Sequence, residues 1–474
     1  MAVFSIVKLS ETNNHHRIDA EFYHPEYLKN KRRLTNLKIP LFSLKQVSNY
    51  ITNGHTPRYA DLTVGEVHFL TAEDVLDFIV NFETSKRITK EDSYKVLRRT
   101  ILKENDLLIT IKGKIGNAAV VYKLEGETNI NQDVARIIIK KSIDKKKINP
   151  YFIAAFINSK FGRLQVDQMA TSQINPFLGL SNLKQIVIPL LDEKFQNKIE
   201  GTLKKALELF YYSNFIFSQA ESLLLEELGL KDFKPKYKKT YTANLSDSLS
   251  ARRIDAEYFQ PAYEEVIEKL KEKNIELKPL KKFILSIQKG IEPGSEKYQN
   301  VGKPFIRVSN LSIYGFINRD QKYLSEEVYL DLKENYEPKQ GDILLTKDAT
   351  PGIAYVVKEQ FEGIISSGIL KLQVNDREIN KEYLALCINS FIGKMQIERD
   401  YGGSIIFHWK PEQIKKLKIP LLPLSTQQKI ASLIQKSHEA RKKAKELLNA
   451  AKKAIEIAIE KGENDASNYL SSLK

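Results

Sequence analysis

An internal repeat running through nearly the whole chain constrains its fold more than any other feature. Residues 17–27 read Arg-Ile-Asp-Ala-Glu-Phe-Tyr-His-Pro-Glu-Tyr and residues 253–263 read Arg-Ile-Asp-Ala-Glu-Tyr-Phe-Gln-Pro-Ala-Tyr, an offset of 236. The same offset pairs Gly54 with Gly290, Pro57 with Pro293, Phe69 with Phe305, and Asp106–Thr110 with Asp342–Thr346. It also pairs Gly116 with Gly352 and Val120-Val121 with Val356-Val357. Five residues are then expected to drop out of the second copy between about 134 and 149, because Ile157–Ser159 matches Ile388–Ser390, Ile188–Leu190 matches Ile419–Leu421, and Gln196 matches Gln427 at an offset of 231. A period this long is not that of a solenoid. Each copy is a domain with an appendage, and the fold is expected to carry an approximate internal two-fold. Duplicated enzymes exist, so the repeat alone does not exclude catalysis.

Within one copy the hydrophobic pattern predicts an α+β unit. A short charged helix near 25–36 is followed by strands at Val67–Leu70, Asp106–Ile111, Ala118–Tyr122 and Val134–Lys140, broken by Gly, Asn and Pro. A helix with an apolar face follows at Asn149–Asn158, then a strand at Lys184–Leu190. The end of each copy differs in kind. Residues 195–228 hold no Pro, and Ile199, Leu203, Ala206, Phe210, Ser213, Phe217, Ala220 and Leu224 fall at alternating steps of three and four, a heptad. Ala444, Leu448, Ala451, Ile455 and Ala458 repeat those steps within 426–461. Two long helices are expected to pack as an antiparallel coiled coil that separates the two globular domains. Small residues would line the seam, and Phe210, Phe215 and Phe217 would supply bulk. The alternative is that each helix packs on its own domain. The basic stretch 231–250 reads as a linker and 462–474 as a polar, fraying tail. The expected boundaries are 1–190 for the first domain, 191–235 for the first helix and linker, 236–422 for the second domain, and 423–474 for the second helix and tail.

Composition narrows the function. Lys and Arg number 74 against 59 Asp and Glu, a formal net charge of +15 that favours a polyanionic partner. Nucleic acid is the first candidate and an anionic membrane surface the second. A single cysteine, Cys387, can form no internal disulfide and no Cys/His zinc cluster. No apolar run is long enough for a membrane span, and a reduced, cytoplasmic setting is expected. Catalytic signatures are missing. Asn149-Pro150-Tyr151 and Asn175-Pro176-Phe177 each lack the second proline of an amino-methyltransferase motif. Glu276-Leu-Lys278 with Asp255 fits a nuclease only loosely, Gly113-Lys-Ile-Gly116 lacks the spacing of a phosphate loop, and His15-His16 has no ligand partner at metal spacing.

Taken in order, several segments resemble the specificity (S) subunits of type I restriction-modification enzymes. They are Gly54-His-Thr-Pro57, Asp106-Leu-Leu-Ile-Thr-Ile-Lys-Gly-Lys-Ile-Gly116, Met169-Ala-Thr-Ser-Gln-Ile-Asn175, and the Ile188-Pro-Leu and Ile419-Pro-Leu-Leu-Pro423 segments that lead into long helices. The second copy departs at Ile291-Glu-Pro293, Asp348-Ala-Thr-Pro-Gly352 and Tyr401-Gly-Gly-Ser404. The Arg-Ile-Asp-Ala-Glu block is less typical of the best-known members. The resemblance implies a chain without catalysis or bound cofactor, made of two target recognition domains that each read half of a bipartite site in double-stranded DNA. It implies a helical spacer that docks two methyltransferase subunits using S-adenosylmethionine, and a restriction subunit for cleavage driven by ATP with Mg. A methyltransferase or nuclease in its own right, or a scaffold binding nucleic acid without reading sequence, remain the rival functions. Affinity would come from cations on phosphates and choice from side chains on base edges. The candidates are loop residues: Asn53, His55, Arg58, Lys112, Lys114, Gln132, Ser172, Gln173 and Asn175 in the first copy, and Lys289, Arg307, Ser309, Asn310, Lys347, Ser404, His408 and Trp409 in the second. Lys112 and Lys114 flank a glycine that lets backbone approach phosphate. The basic face of 429–461 would lie near DNA or meet an acidic partner.

Overall fold

A computed structural model describes residues 3–15, 17–57, 62–171, 175–318, 320–402 and 407–473, without the side chains of 13–15. The chain forms two compact units, residues 1–211 with 441–474, and residues 212–440. Both are α+β.

In the first unit a helix at Pro25–Thr35 precedes eight strands: β1 (Leu41–Ser43), β2 (Ser48–Asn53), β3 (Val67–Leu70), β4 (Lys86–Ile88), β5 (Leu107–Thr110), β6 (Ala118–Val120), β7 (Thr128–Ile130) and β8 (Val134–Ile139). An antiparallel sheet has the order β2-β8-β5-β6, and a three-stranded sheet has the order β4-β3-β7. β1 pairs with Val187–Pro189. All four residues of β3 and of β5 are buried, so these strands read as continuous apolar runs and not as alternations. Helices Pro150–Asn158 and Lys160–Met169 complete the core, in which Phe152, Ile153, Phe156 and Ile157 are fully buried.

The second unit repeats this plan. Its four-stranded sheet runs Ile284–Lys289, Ile369–Val374, Ile343–Thr346, Ala354–Val356 in the same spatial order. The buried polar joints recur as well. Asn158 bonds the backbone N–H and carbonyl of Ala118, and Asn389 bonds those of Ala354. Gln196 accepts from the N–H of Asn149, and Gln427 from that of Asn380. The pairings locate the lost residues more finely than the sequence does. Leu107 opposes Ile137 and Ile343 opposes Leu372, so 137 matches 372 and the offset is already 235 there. One residue is therefore lost before β8. The other four fall between Ile139 and Ile148, where only the first copy carries a hairpin, Ser142–Ile143 with Lys146–Lys147.

Two long helices, Glu193–Glu227 and Leu424–Lys461, each begin in one unit and end in the other. All eight heptad positions from Ile199 to Leu224 are buried, as are Ala444, Leu448, Ala451, Ile455 and Ala458. In the first unit the N–H of Asp192 donates to Glu463 Oε1 (3.2 Å) and Arg441 lies 4.6 Å from the ring centre of Phe210, so partners descend as the first helix ascends. In the second unit Ser437 Oγ donates to the carbonyl of Ser213 (2.8 Å). The buried alanines let the two backbones approach closely. Each helix segment also covers its own unit's core. Ile199, Leu203 and Ala206 share a cluster with Leu107 and Phe152, and Phe217, Ala220 and Leu224 share one with Ile343 and Tyr383.

Two expectations fail here. Phe215 is 59% exposed and adds nothing to the seam, since it lies off the heptad steps. Most of the polar tail is a helix, Glu463–Ser472, held by fully buried Ala466 and by Tyr469 and Leu470 against the core. The stretch read as a linker is tied down at Lys238, whose N–H and carbonyl both bond the Gln260 amide, and it ends in a helix at Leu245–Ala251.

Candidate nucleic-acid interface

The sheet order brings distant loops to one end of the first unit. β2 ends and β8 begins there, and β5 ends and β6 begins there. Backbone bonds lock the loops together. The N–H of Gly54 donates to the carbonyl of Asn131 (3.1 Å), that of Ile111 to Asp133 (2.8 Å), and that of Leu178 to Ile111 (2.8 Å). Thr171 and Phe177 exchange both backbone bonds (2.9 and 3.0 Å), closing the loop between them. Gly54 is required for this approach, because a Cβ there would lie 1.9 Å from the carbonyl oxygen of Ile130.

On this rim Asn53 Nδ2 donates to the carbonyl of Gln132 (3.1 Å), and Thr56 Oγ1 donates to Gln132 Oε1 (2.5 Å). Lys112, Lys114, His55, Gln132 and Asn175 are exposed. The turn that presents the lysines is set from beneath, where Thr110 Oγ1 donates to the carbonyl of Lys114 (2.6 Å). Gly113 sits at φ 73°, and the second copy keeps that left-handed turn at Ala349, φ 58°, although a methyl group opposes it. Thus Asn53, His55, Lys112, Lys114, Gln132 and Asn175 share one rim. Arg58, Ser172 and Gln173 lie outside the described residues.

The second unit builds the same rim with other side chains. The N–H of Gly290 donates to Ile369 (3.0 Å), that of Lys347 to Gly368 (2.9 Å), and that of Trp409 to Lys347 (2.8 Å). Gly402 and His408 exchange backbone bonds as Thr171 and Phe177 do. Lys289, Ser309 and His408 are exposed on this rim, and Ser404 lies outside the described residues. Where the first copy has Lys112 the second has Asp348. Its carboxylate is held between Lys347 Nζ and His408 Nδ1, the latter at 2.8 Å. Burial opposes the charge on Asp348, yet Lys347 and His408 keep its carboxyl below the ordinary aspartate value. Arg307 is tied to Asp320 (3.0 Å).

Two candidates are removed. Trp409 is 1% exposed and occupies the core position that Leu178 fills in the first copy. Asn310 is fully buried and caps a turn, its Oδ1 accepting from the N–H of Arg307 (3.2 Å), as Asp74 caps the matching turn at Thr71 (2.7 Å). Both are polar or amphipathic residues near loops, and sequence does not separate such a residue facing out from one facing in. Thr56 and Asp348 were missed. For Asp348 the signal was present, since the offset of 236 sets it against Lys112 and inverts a charge.

The rims carry cations, amides and hydroxyls on exposed turns. Among the described residues no group of three His, Cys, Asp or Glu could hold a metal, and no helix is long and apolar enough to cross a membrane. Burial pushes the Cys387 thiol up to about 12. The frame is repeated and its exposed loops differ between the copies.

Comparison with known proteins agrees. Residues 267–452 match the type I restriction modification DNA specificity domain. The chain is 26% identical over 207 residues to the EcoBI type I restriction enzyme specificity subunit of Escherichia coli, a match spanning 42% of each protein, so it covers less than half of that relative. Similar solved structures include a type I restriction-modification S subunit from M. genitalium (12% identity, TM-score 0.37, 92% of this chain and 96% of that one). An HsdS subunit from Thermoanaerobacter tengcongensis is another (14% identity, TM-score 0.30, 90% and 99%). At these TM-scores neither structure adds to the assignment. The matched segment lies in the second copy, whose sequence and strand order the first copy shares. The match to the type I specificity domain therefore covers most of the second copy and of its long helix, and the first copy is similar to it through the internal repeat.

Proposed function

We propose that this chain reads DNA sequence and performs no chemistry itself, each rim contacting one half of a bipartite site in double-stranded DNA. One observation carries the reading: the same rim is built twice, at the same end of the same sheet, on a conserved frame with changed side chains. Different half-sites require that combination. Lys112 and Lys114 would hold phosphates, while Asn53, Gln132, the segment Ser172-Gln173-Ile174-Asn175, and His408 would face base edges. Arg58, Lys289, Ser309 and Ser404 are further contacts in this reading. The long helices, about 50 Å at 1.5 Å per residue, would set the spacer and dock two methyltransferase subunits that bring S-adenosylmethionine. Restriction subunits with ATP and Mg would join that assembly. The setting is cytoplasmic.

The test is co-expression with the neighbouring methyltransferase and long-read mapping of methylated bases. A split motif that changes in one half when residues 36–190 are exchanged supports the reading. An unsplit motif indifferent to the exchange would refute it.

A further inference from the structure

Arg-Ile-Asp-Ala-Glu recurs unchanged at 17–21 and 253–257, yet none of its residues belongs to either rim. In the first copy the Arg17 guanidinium grips Asp19 with Nε and Nη2, both at 2.7 Å, and lies 4.6 Å from the ring centre of Phe22. The N–H of Phe22 closes the turn on Asp19 Oδ1 (3.2 Å). One arm is left, and Nη1 reaches the carbonyl of Ala170 (3.4 Å). The second copy repeats each contact. Arg253 grips Asp255 (2.8 and 2.7 Å), lies 4.6 Å from the ring centre of Tyr258, and turns Nη1 to the carbonyls of Asp400 (2.9 Å) and Arg399 (3.2 Å).

Those carbonyls lie at matching helix ends, within two residues of one another in register. Ala170 follows the helix Lys160–Met169, and Asp400 ends the helix Phe391–Asp400. Thr171, the residue after Ala170, and Gly402, two residues after Asp400, open the loops closed by Phe177 and His408. The far end of each loop is pinned by a buried side chain, Leu178 or Trp409. At the near end Thr171 and Gly402 are themselves exposed, and the stem before them rests on partly buried Met169 and Tyr401 and on the Asn182 and Gln413 amides, which bond the carbonyls of Met169 (2.8 Å) and Asp400. A helix C-terminus offers carbonyls without intrahelical partners and partial negative charge, which suit a guanidinium already oriented by a carboxylate.

We propose that Arg17 and Arg253 are positioning residues that fix the near stems of loops 171–177 and 402–408, and so set the stringency with which each copy reads its half-site. The proposal rests on the DNA-reading function above. Discrimination by hydrogen bonds to base edges depends on distance and angle, so a loosened stem degrades choice more than affinity.

The experiment selects duplexes from a library with a randomised centre, using the full-length chain and its Arg17→Ala, Arg253→Ala and Arg→Lys variants. Wild-type enrichment defines the two half-sites. The expected result is that each alanine variant loses about tenfold in enrichment over scrambled sequence at one half only, with opposite halves affected by the two variants. Lysine should restore part of the loss, because it keeps the charge without the planar fork. Asp255→Asn, which weakens the grip with little change in size, replaces Arg253→Ala if that variant fails to fold. Unchanged stringency in a folded variant, or equal loss in both halves, overturns the positioning role and leaves the reading function intact. Failure of the wild type to enrich any split site removes both.

Discussion

Removing the two free cations of the first rim should flatten the salt dependence of DNA binding by a calculable amount. Lys112 and Lys114 are exposed, and no ion pair among the described residues involves either. If each neutralises one phosphate, the double variant Lys112→Gln/Lys114→Gln loses two contacts. The slope of log K against log salt then becomes shallower by about 1.8, at about 0.9 per contact on duplex DNA. Between about 50 and 200 mM salt, wild-type affinity should therefore fall about twelvefold more than that of the variant. The second rim supplies an internal control. Lys347 is neutralised by Asp348, so Lys347→Gln should leave the slope nearly unchanged. Asp348→Asn frees Lys347 and should steepen it by about 0.9. Fluorescence anisotropy with a labelled duplex over a salt series measures all four slopes. A Lys112/Lys114 variant with the wild-type slope would refute the placement of these lysines on phosphate.

Two further outcomes are expected. Arg136 and Asp106, 8% and 6% exposed, form a buried pair at 2.7 Å, and Asp106 also caps the N–H of Lys103. Arg136→Met should destabilise the first unit by about 3–5 kcal/mol by stranding the carboxylate. Arg136→Lys should cost less, because the second copy places Lys371 at this position, bonded to the carbonyls of Asn335 and Glu337. Denaturant-dependent hydrogen exchange at Leu107–Thr110 reads the difference, and a loss under about 1 kcal/mol would contradict the pairing. The second outcome concerns pH. The Arg253 guanidinium beside Asp255 holds its carboxyl below the usual value, as Arg17 does for Asp19. A lowered carboxylate contributes stability that is present above the unfolded value near 3.9 and is lost as pH falls through the folded value. Asp255→Asn should therefore be less stable than wild type at neutral pH and indistinguishable from it in strong acid, by thermal unfolding. An equal deficit at both pH values would argue against the ion pair.

Much of this was legible because burial imposes a period. Every heptad position from Ile199 to Leu224 and from Ala444 to Ala458 is buried, since a long helix can hide only one stripe. Val67–Leu70 was read to the residue because an apolar run between polar turns leaves little choice. The repeat then carried each assignment to the second copy. Single residues within the rims were harder. His408 and Trp409 are adjacent ring-bearing residues, and one is exposed while the other fills the core, their backbone N–H groups meeting the carbonyls of Gly402 and Lys347. The helix Glu463–Ser472 was hidden because its anchors are only Ala466, Tyr469 and Leu470 in a polar stretch. β2 escaped notice because Asn49 and Tyr50 face solvent and interrupt its alternation.

The first unit draws on both termini of the chain, and this has a consequence for the order of events on the ribosome. Its core includes Ala444, Ala451, Ile455 and Ala466, so it cannot close until residues 441–474 exist. The second unit is continuous, residues 212–440, and can close as soon as its 229 residues emerge. At about 5–20 residues per second that interval lasts about 10–45 seconds. Through it, Ile199, Leu203, Ala206 and Phe210 stand uncovered on one side. The half synthesised first matures last, and the nascent chain must be shielded at that stripe until the second helix is complete.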